Sequence, residues 1–124
     1  MAGIANEQNT IAAIATASGP GGVGIVRVSG NDAISIANRV CEKDVLSFDN
    51  RKLVLSNVIE GSKILDEALF VKMCGPKSFT GEDVVEIQCH GGYINLAKIL
   101  RGLIESGARS VSYTHLTLPT ILLV

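Results

Sequence analysis

The sequence predicts an α+β domain in which a mixed β-sheet carries helices packed on one of its faces. Its 124 residues suffice for one domain with a buried core, and 47% of them are hydrophobic while 19% are charged. The predicted elements follow the order β-β-α-β-β-β-α. Because helices do not alternate one for one with strands, this order argues against a doubly wound nucleotide-binding fold.

Two short apolar strands are predicted on either side of a glycine-rich loop. They cover residues 10–16 (TIAAIAT) and 24–29 (GIVRVS), while residues 19–24 spell G-x-G-x-x-G, the letter pattern of dinucleotide-binding loops. That motif must open a helix whose N-terminus meets the pyrophosphate, whereas β-branched residues follow it here. We therefore predict a tight turn whose glycines adopt positive φ, a geometry that also allows a ligand to approach the backbone closely. The glycines concerned are Gly21, Gly22 and Gly24.

The middle of the chain predicts a helix followed by a β-hairpin. Residues 30–42 (GNDAISIANRVCE) place apolar side chains at helical spacing after an Asn-Asp pair suited to cap a helix. Residues 52–60 (KLVLSNVIE) and 64–73 (ILDEALFVKM) have the composition of two strands separated by a Gly-Ser turn.

The last two predicted elements are a strand that begins at Val84 and a helix that begins near Tyr93 in the segment YINLAKILRGLIESGAR, with Gly107 as the residue that ends it. The apolar residues that stand broadly at helical spacing in this helix are Ile94, Ala97, Ile99, Leu100, Leu103 and Ile104. Alternation in the strand divides its side chains between two faces. One face holds Val85, Ile87 and Cys89, and the other holds Val84, Glu86 and Gln88.

Composition narrows the function classes further. The net charge of −1 gives no basic excess, so it does not indicate a nucleic-acid surface. The three cysteines lack zinc-site spacing, from which we predict no metal site and a reduced, cytoplasmic setting. We expect no membrane association, because no apolar run approaches the roughly 20 residues of a membrane span and no leader opens the chain.

Two charged residues lie inside predicted strands and are candidates for a site. Arg27 stands in GIVRVSG and Glu86 in DVVEIQCHGG. A charge within an apolar strand needs either a partner or a solvent-facing side. The pattern leaves two interpretations open: outward positions on a one-sided sheet, or a polar pair that lines a ligand pocket.

Two long motifs carry a family resemblance. Residues 10–30 (TIAAIATASGPGGVGIVRVSG) and residues 75–92 (GPKSFTGEDVVEIQCHGG), with the helix ending in GAR, closely resemble the N-terminal domain of the tRNA modification GTPases called MnmE or TrmE. The resemblance extends from about Thr10 to Arg109. Its departures are an Ala-Ser pair and Pro20, where the family usually shows Pro-Pro and a basic residue.

The resemblance implies a fold like the tetrahydrofolate-binding domains of MnmE and of aminomethyltransferase-like proteins. It implies a homodimer that binds a tetrahydrofolate derivative, the 5-formyl or 5,10-methylene form. Arg27 and Glu86 match folate contacts of the family, and Thr80 is a weaker candidate for the same cofactor-binding site. We assign no catalytic residue, because His90 shows no acid or nucleophile partner in the sequence. The family's contact lysine would follow Arg109, and its segment is missing here.

For the full-length parent, the resemblance implies C5 modification of the wobble uridine of tRNA together with an MnmG-type flavoprotein. GTP and potassium belong to that parent, since this chain has no P-loop, and we expect the fragment to be inactive alone. Two alternatives remain: a stand-alone aminomethyltransferase-like folate protein, and a dimerisation domain without a ligand. Folate binding discriminates between the family role and the ligand-free alternative.

The end of the chain has a different character. Residues 111–120 (VSYTHLTLPT) resemble the translated read-through of a transposase-based sequencing adaptor, and a natural apolar strand is the alternative. We therefore expect residues 1–109 to form a family domain that is incomplete at its C-terminal end, with residues 110–124 a non-native tail. Reading the gene beyond the codon for Arg109 from an independent library tests this expectation.

Overall fold

A computed structural model describes residues 10–15, 22–76 and 81–111 of the chain. The described residues form a six-stranded mixed sheet and two α-helices, which confirms the predicted α+β class. In chain order the elements are β1 (Ile11–Ile14), β2 (Val23–Ser29), α1 (Ala33–Val40), a short 3-10 helix (Val45–Ser47), β3 (Leu53–Glu60), β4 (Lys63–Met73), β5 (Val84–His90), α2 (Tyr93–Glu105) and β6 (Arg109–Ser110).

The strands lie in the order β3-β4-β5-β2-β1-β6. All neighbours pair antiparallel except β1 and β6, which are parallel. The central pair, β2 and β5, is formed by strands that are far apart in the sequence. Neither β6 nor the 3-10 helix is predictable from the sequence, because two- or three-residue elements carry almost no periodic signal.

Both helices pack their apolar stripes on one face of the sheet. The buried stripe of α1 consists of Ala33, Ile36, Ala37 and Val40, as its helical spacing predicts. In α2 the buried residues are Leu96, Ile99, Gly102 and Leu103. The expectation for Ile94 is wrong: its side chain is 71% exposed, because the first turn of α2 extends past the edge of the core.

The glycine-rich loop leads into a strand, as predicted. Gly22 has φ of +69°, a left-handed conformation that glycine adopts without steric cost. Gly24 has no positive φ but is packed closely: an added Cβ would lie 2.5 Å from Cδ2 of Leu96 in α2. The prediction of positive φ is thus confirmed at Gly22 and wrong at Gly24, where helix packing requires the glycine instead. Gly21 lies outside the described residues.

The last helix ends in the predicted manner. It stops at Glu105, and Gly107 follows with φ of +125° and donates its N–H to the carbonyl of Ile104. The chain then turns into β6 at residues 109–110, after the predicted end of the helix. Among the described residues, no helix is long and apolar enough to cross a membrane. The tail from residue 112 onward lies outside the described residues.

Candidate functional site

Arg27 and Glu86 are direct cross-strand partners at the centre of the sheet. Their strand neighbours Val26, Val28 and Val85 belong to the core under the helices. By alternation, the two charged side chains therefore lie on the face that the helices leave uncovered. The structure thus brings together the two site residues that the sequence analysis singled out 59 positions apart.

The two side chains form an ion pair. Nε of Arg27 donates to Oε2 of Glu86 at 3.0 Å, and an η-nitrogen of Arg27 donates to the same oxygen at 2.6 Å. The Glu86 side chain is only 10% exposed, whereas that of Arg27 is 27% exposed. A buried carboxylate requires such a charged partner, because desolvation without one is costly.

The geometry of the pair leaves hydrogen-bonding capacity on Glu86. Both contacts from Arg27 converge on Oε2, and no other donor among the described residues contacts Glu86. A carboxylate offers about four acceptor positions on its two oxygens. An N–H donor of a ligand could therefore bind to Oε1, which has no partner among the described residues, while Arg27 keeps the charge paired. The third candidate, Thr80, lies outside the described residues.

A shallow hollow lies further along the same strands. Its volume is about 220 Å³, and its lining includes Val23, Leu55, Leu69, Gln88 and His90. Gln88 is two residues from Glu86 on the same face of β5, which places it about 7 Å along the strand at 3.4 Å per residue. The hollow is thus close to the ion pair along the sheet but is not formed by it.

A second carboxylate, Asp66 of β4, holds the end of β5. Its Oδ1 lies 2.7 Å from Nδ1 of His90, and its Oδ2 accepts the His90 backbone N–H at 3.0 Å. Asn95, in the first turn of α2, donates to Oδ2 at 2.8 Å and to the His90 carbonyl at 2.9 Å. Asp66 thereby joins β4, β5 and α2 at one point.

These hydrogen bonds set the charge state of Asp66. Burial alone would raise its pKa, but the hydrogen bonds from Asn95, from the backbone and ring of His90 and from the Glu67 N–H outweigh burial and hold the pKa below its usual range. Asp66 is therefore a carboxylate at neutral pH. This partner of His90 was missed in the sequence analysis, because a contact across 24 positions between two strands leaves no local pattern.

Two of the three cysteines, Cys41 and Cys89, are buried, whereas Cys74 is half-buried. Burial raises the pKa of the Cys89 thiol to about 11, with a further contribution from the charge of Asp66. Burial also raises the pKa of Cys41. Within residues 10–15, 22–76 and 81–111, no cluster of His, Cys, Asp and Glu is suited to hold a metal ion.

Comparison with known proteins gives consistent matches. The family model described as the GTP-binding protein TrmE N-terminus matches residues 10–113. The chain is 44% identical over 106 residues to the tRNA modification GTPase MnmE of Clostridioides difficile (strain 630), covering 82% of this chain. It is 48% identical over 103 residues to the protein of that name from Chlamydia pneumoniae, covering 83% of this chain. The corresponding identity to the protein from Desulforamulus reducens is 49% over 108 residues and 82% of this chain.

The matches cover only part of the length of each relative. In each of these three relatives the matched region is 23% of the relative's own length, so the chain spans less than a quarter of the proteins it resembles. The matched family region begins at Thr10, the first residue the structure describes, and includes both Arg27 and Glu86.

Proposed function

This chain belongs to the family of the GTP-binding protein TrmE N-terminus, and from that premise we propose that it is the folate-binding and dimerising module of a tRNA modification GTPase. The module binds a reduced folate as one-carbon donor. GTP hydrolysis, potassium, the MnmG-type flavoprotein and the tRNA wobble uridine belong to the full-length parent. We propose that the domain comprises residues 1–109 and that residues 110–124 are a non-native tail, and the family match itself extends to residue 113.

The Arg27–Glu86 pair is the observation that carries the folate proposal. The pair lies on the uncovered face of the sheet, Glu86 is nearly buried, and one of its oxygens has no partner among the described residues. A purely structural ion pair would gain from using both carboxylate oxygens, since bidentate pairing of Arg with a carboxylate is the stronger arrangement. The single-oxygen geometry leaves an acceptor for a ligand.

A reduced pterin has the chemistry that this acceptor requires. Its ring carries adjacent N–H donors on one edge, which a carboxylate accepts in strong, charge-assisted hydrogen bonds. Glu86 is the acceptor in this proposal, and Arg27 both orients Glu86 and offers its planar donors to a carbonyl or carboxylate of the ligand. The 5-formyl and 5,10-methylene derivatives of tetrahydrofolate present the same pterin edge, so either fits this part of the site.

Titration of the protein with 5-formyltetrahydrofolate tests the proposal. We expect Glu86→Gln to weaken binding at least about tenfold, because a neutral amide cannot replace a charged acceptor of two N–H groups. Arg27→Lys should also weaken binding, since lysine keeps the charge but loses the planar fork. Calorimetry measures both affinities, and circular dichroism verifies that each variant is folded.

A matched control separates the site from general charge effects. Glu105→Gln removes a carboxylate at the exposed end of α2 and should leave the affinity unchanged. Equal affinities for the wild type, Glu86→Gln and Glu105→Gln would contradict the proposed site. Absence of binding to the wild-type chain would favour a dimerisation domain without a ligand.

A further inference from the structure

The hollow beside the Arg27–Glu86 pair lies where two strands of the sheet separate. The β4–β5 ladder extends from Met73 opposite Val84 to Leu69 opposite Gln88, and the pairing stops there. Beyond this point β5 continues to His90, and its ladder partner among the described strands is β2. The space between the strands is the hollow, with Glu67 and Ala68 on one side and Cys89 and His90 on the other.

Beyond the last β4–β5 backbone pair, the side chain of Asp66 provides the hydrogen bond between the two strands. The His90 N–H, which a neighbouring strand would ordinarily bind through a carbonyl, is accepted by the Asp66 carboxylate at 3.0 Å. A register shift between Val58 and Ile59 in the β3–β4 pairing precedes Asp66, and such irregularities commonly redirect a side chain. The separation of the strands is therefore stabilised by specific hydrogen bonds.

The same carboxylate fixes the tautomer of His90. An ionised carboxylate only accepts hydrogen bonds, so the Nδ1 that lies 2.7 Å from Asp66 carries the proton. In the neutral ring, Nε2 then keeps its lone pair and is an acceptor. Among the described residues Nε2 has no hydrogen-bond partner, and the His90 side chain is 78% exposed.

The remaining lining of the hollow indicates which ligand group it suits. Val23, Leu55 and Leu69 provide apolar surface, and Gln88 provides an amide. The charged residue in the described lining is Glu67, an exposed carboxylate, and the described lining contains no Lys or Arg. An anionic group would meet repulsion there, whereas a neutral ring that bears an N–H or O–H fits both the apolar surface and the acceptor.

We propose that this hollow is a second subsite of the ligand site and that His90, positioned by Asp66, accepts a hydrogen bond there from a neutral N–H- or O–H-bearing part of the ligand. This inference rests on the proposed binding of a reduced folate at Arg27 and Glu86. It adds His90 as a ligand-contacting residue and Asp66 as a positioning residue. It also implies that the carboxylates of the ligand point away from Glu67.

Nitrogen NMR of the imidazole, combined with affinity measurements, tests the subsite with 5-formyltetrahydrofolate as the probe. In the free wild-type chain at pH 8, we expect a protonated Nδ1 and an unprotonated Nε2 at His90. Addition of the probe should move the Nε2 resonance toward the hydrogen-bonded position. His90→Gln should weaken binding about threefold to tenfold, the range for one neutral hydrogen bond.

Two further variants and two contrary outcomes make the test decisive. Asp66→Asn should remove the tautomer preference of His90, and Glu105→Gln is the control that should change neither measurement. If the wild-type chain binds the probe but the Nε2 resonance does not move and His90→Gln binds normally, the subsite is refuted while the Arg27–Glu86 proposal stands. If the wild-type chain does not bind the probe, both are refuted. The Nε2 measurement uses the wild-type chain, so an unfolded variant does not affect it.

Discussion

Glu86, which is buried, and Asp66, which is partly buried, are two carboxylates of one sheet whose surroundings give them different roles. Within the part of the chain that the structure describes, Glu86 is held by one cation, Arg27, through one of its oxygens. Asp66 accepts neutral or ring N–H groups through both of its oxygens, and its two neighbours His90 and Asn95 belong to other elements. A carboxylate saturated by protein donors stabilises the fold, whereas one with an open oxygen can bind a ligand.

At the residue scale, we predict that Asp66→Asn lowers the free energy of unfolding by about 1–3 kcal/mol at pH 7, because an amide cannot accept all of the hydrogen bonds that the carboxylate accepts. The pKa of Asp66 is lowered by folding, so the unfolded chain binds the proton more tightly. The contribution of Asp66 is therefore fully present above the unfolded value of 3.8 and is lost as the pH falls through the lower folded pKa.

Urea denaturation of the wild type and Asp66→Asn at several pH values between 7 and 3 measures this difference. The gap in unfolding free energy should narrow below about pH 4, since only the wild type gains a proton at this position. A gap that stays constant to pH 3, or that widens, would contradict the assignment of the stabilisation to the ionised carboxylate.

At the element scale, β2 and β5 combine a core face with a ligand face. Val26 and Val28 of β2 and Ile87 of β5 pack under the helices, while Arg27 and Glu86 leave from the opposite side. Successive side chains of a strand point to opposite faces of the sheet, and this alternation alone separates the core face from the ligand face. The position of α2 over β2 then depends on close approach at Gly24, where a side chain would occupy the space of Leu96.

We predict that Gly24→Ala lowers the free energy of unfolding by about 1–3 kcal/mol, the usual cost of overpacking a core. The new Cβ would lie 2.5 Å from Cδ2 of Leu96, which is fully buried and has little room to move. Gly92→Ala is the matched control, because no atom of the described residues lies within 4 Å of its added Cβ. Thermal or urea denaturation compares the two, and equal stabilities would show that α2 adapts without cost.

At the scale of the whole molecule, the helices cover one sheet face and leave the other with apolar side chains. Exposed large residues include Leu53 and Leu55, which leave the same side of the edge strand β3, and Val23 of β2. Exposed apolar surface of this kind is typical of interaction sites. It supports the proposal, made above from the family membership, that the domain forms a homodimer.

We predict that the chain sediments as a dimer and that Leu53→Lys shifts it toward the monomer, because a charge replaces a 53% exposed leucine on that side of β3. Leu46→Lys is the control: Leu46 is 65% exposed but lies in the 3-10 helix near α1. Sedimentation equilibrium measures the fraction of dimer for the wild type and for each variant. A monomeric wild-type chain would contradict the dimer, and equal dissociation by both variants would contradict this location.

Local patterns predicted most of the elements. The alternation in VVEIQCH predicted the strand and its two faces, the spacing in AISIANRV predicted the buried stripe of α1, and the turn and helix-end glycines at 61 and 107 follow the local rules for such positions. The family was also recognisable from two contiguous motifs, and the match to residues 10–113 confirms it. These features depend on neighbouring residues, which is why sequence alone determined them.

Only the tertiary structure decided which distant residues meet. Register across the β2–β5 ladder places Arg27 opposite Glu86, and the end of the β4–β5 ladder brings Asp66 to His90. The same packing explains why Ile94 is exposed and why Gly24 must be small. Periodicity along a chain states which face a side chain leaves from, but strand order and register are set by the whole sheet, so the site's partners could not be read from the sequence.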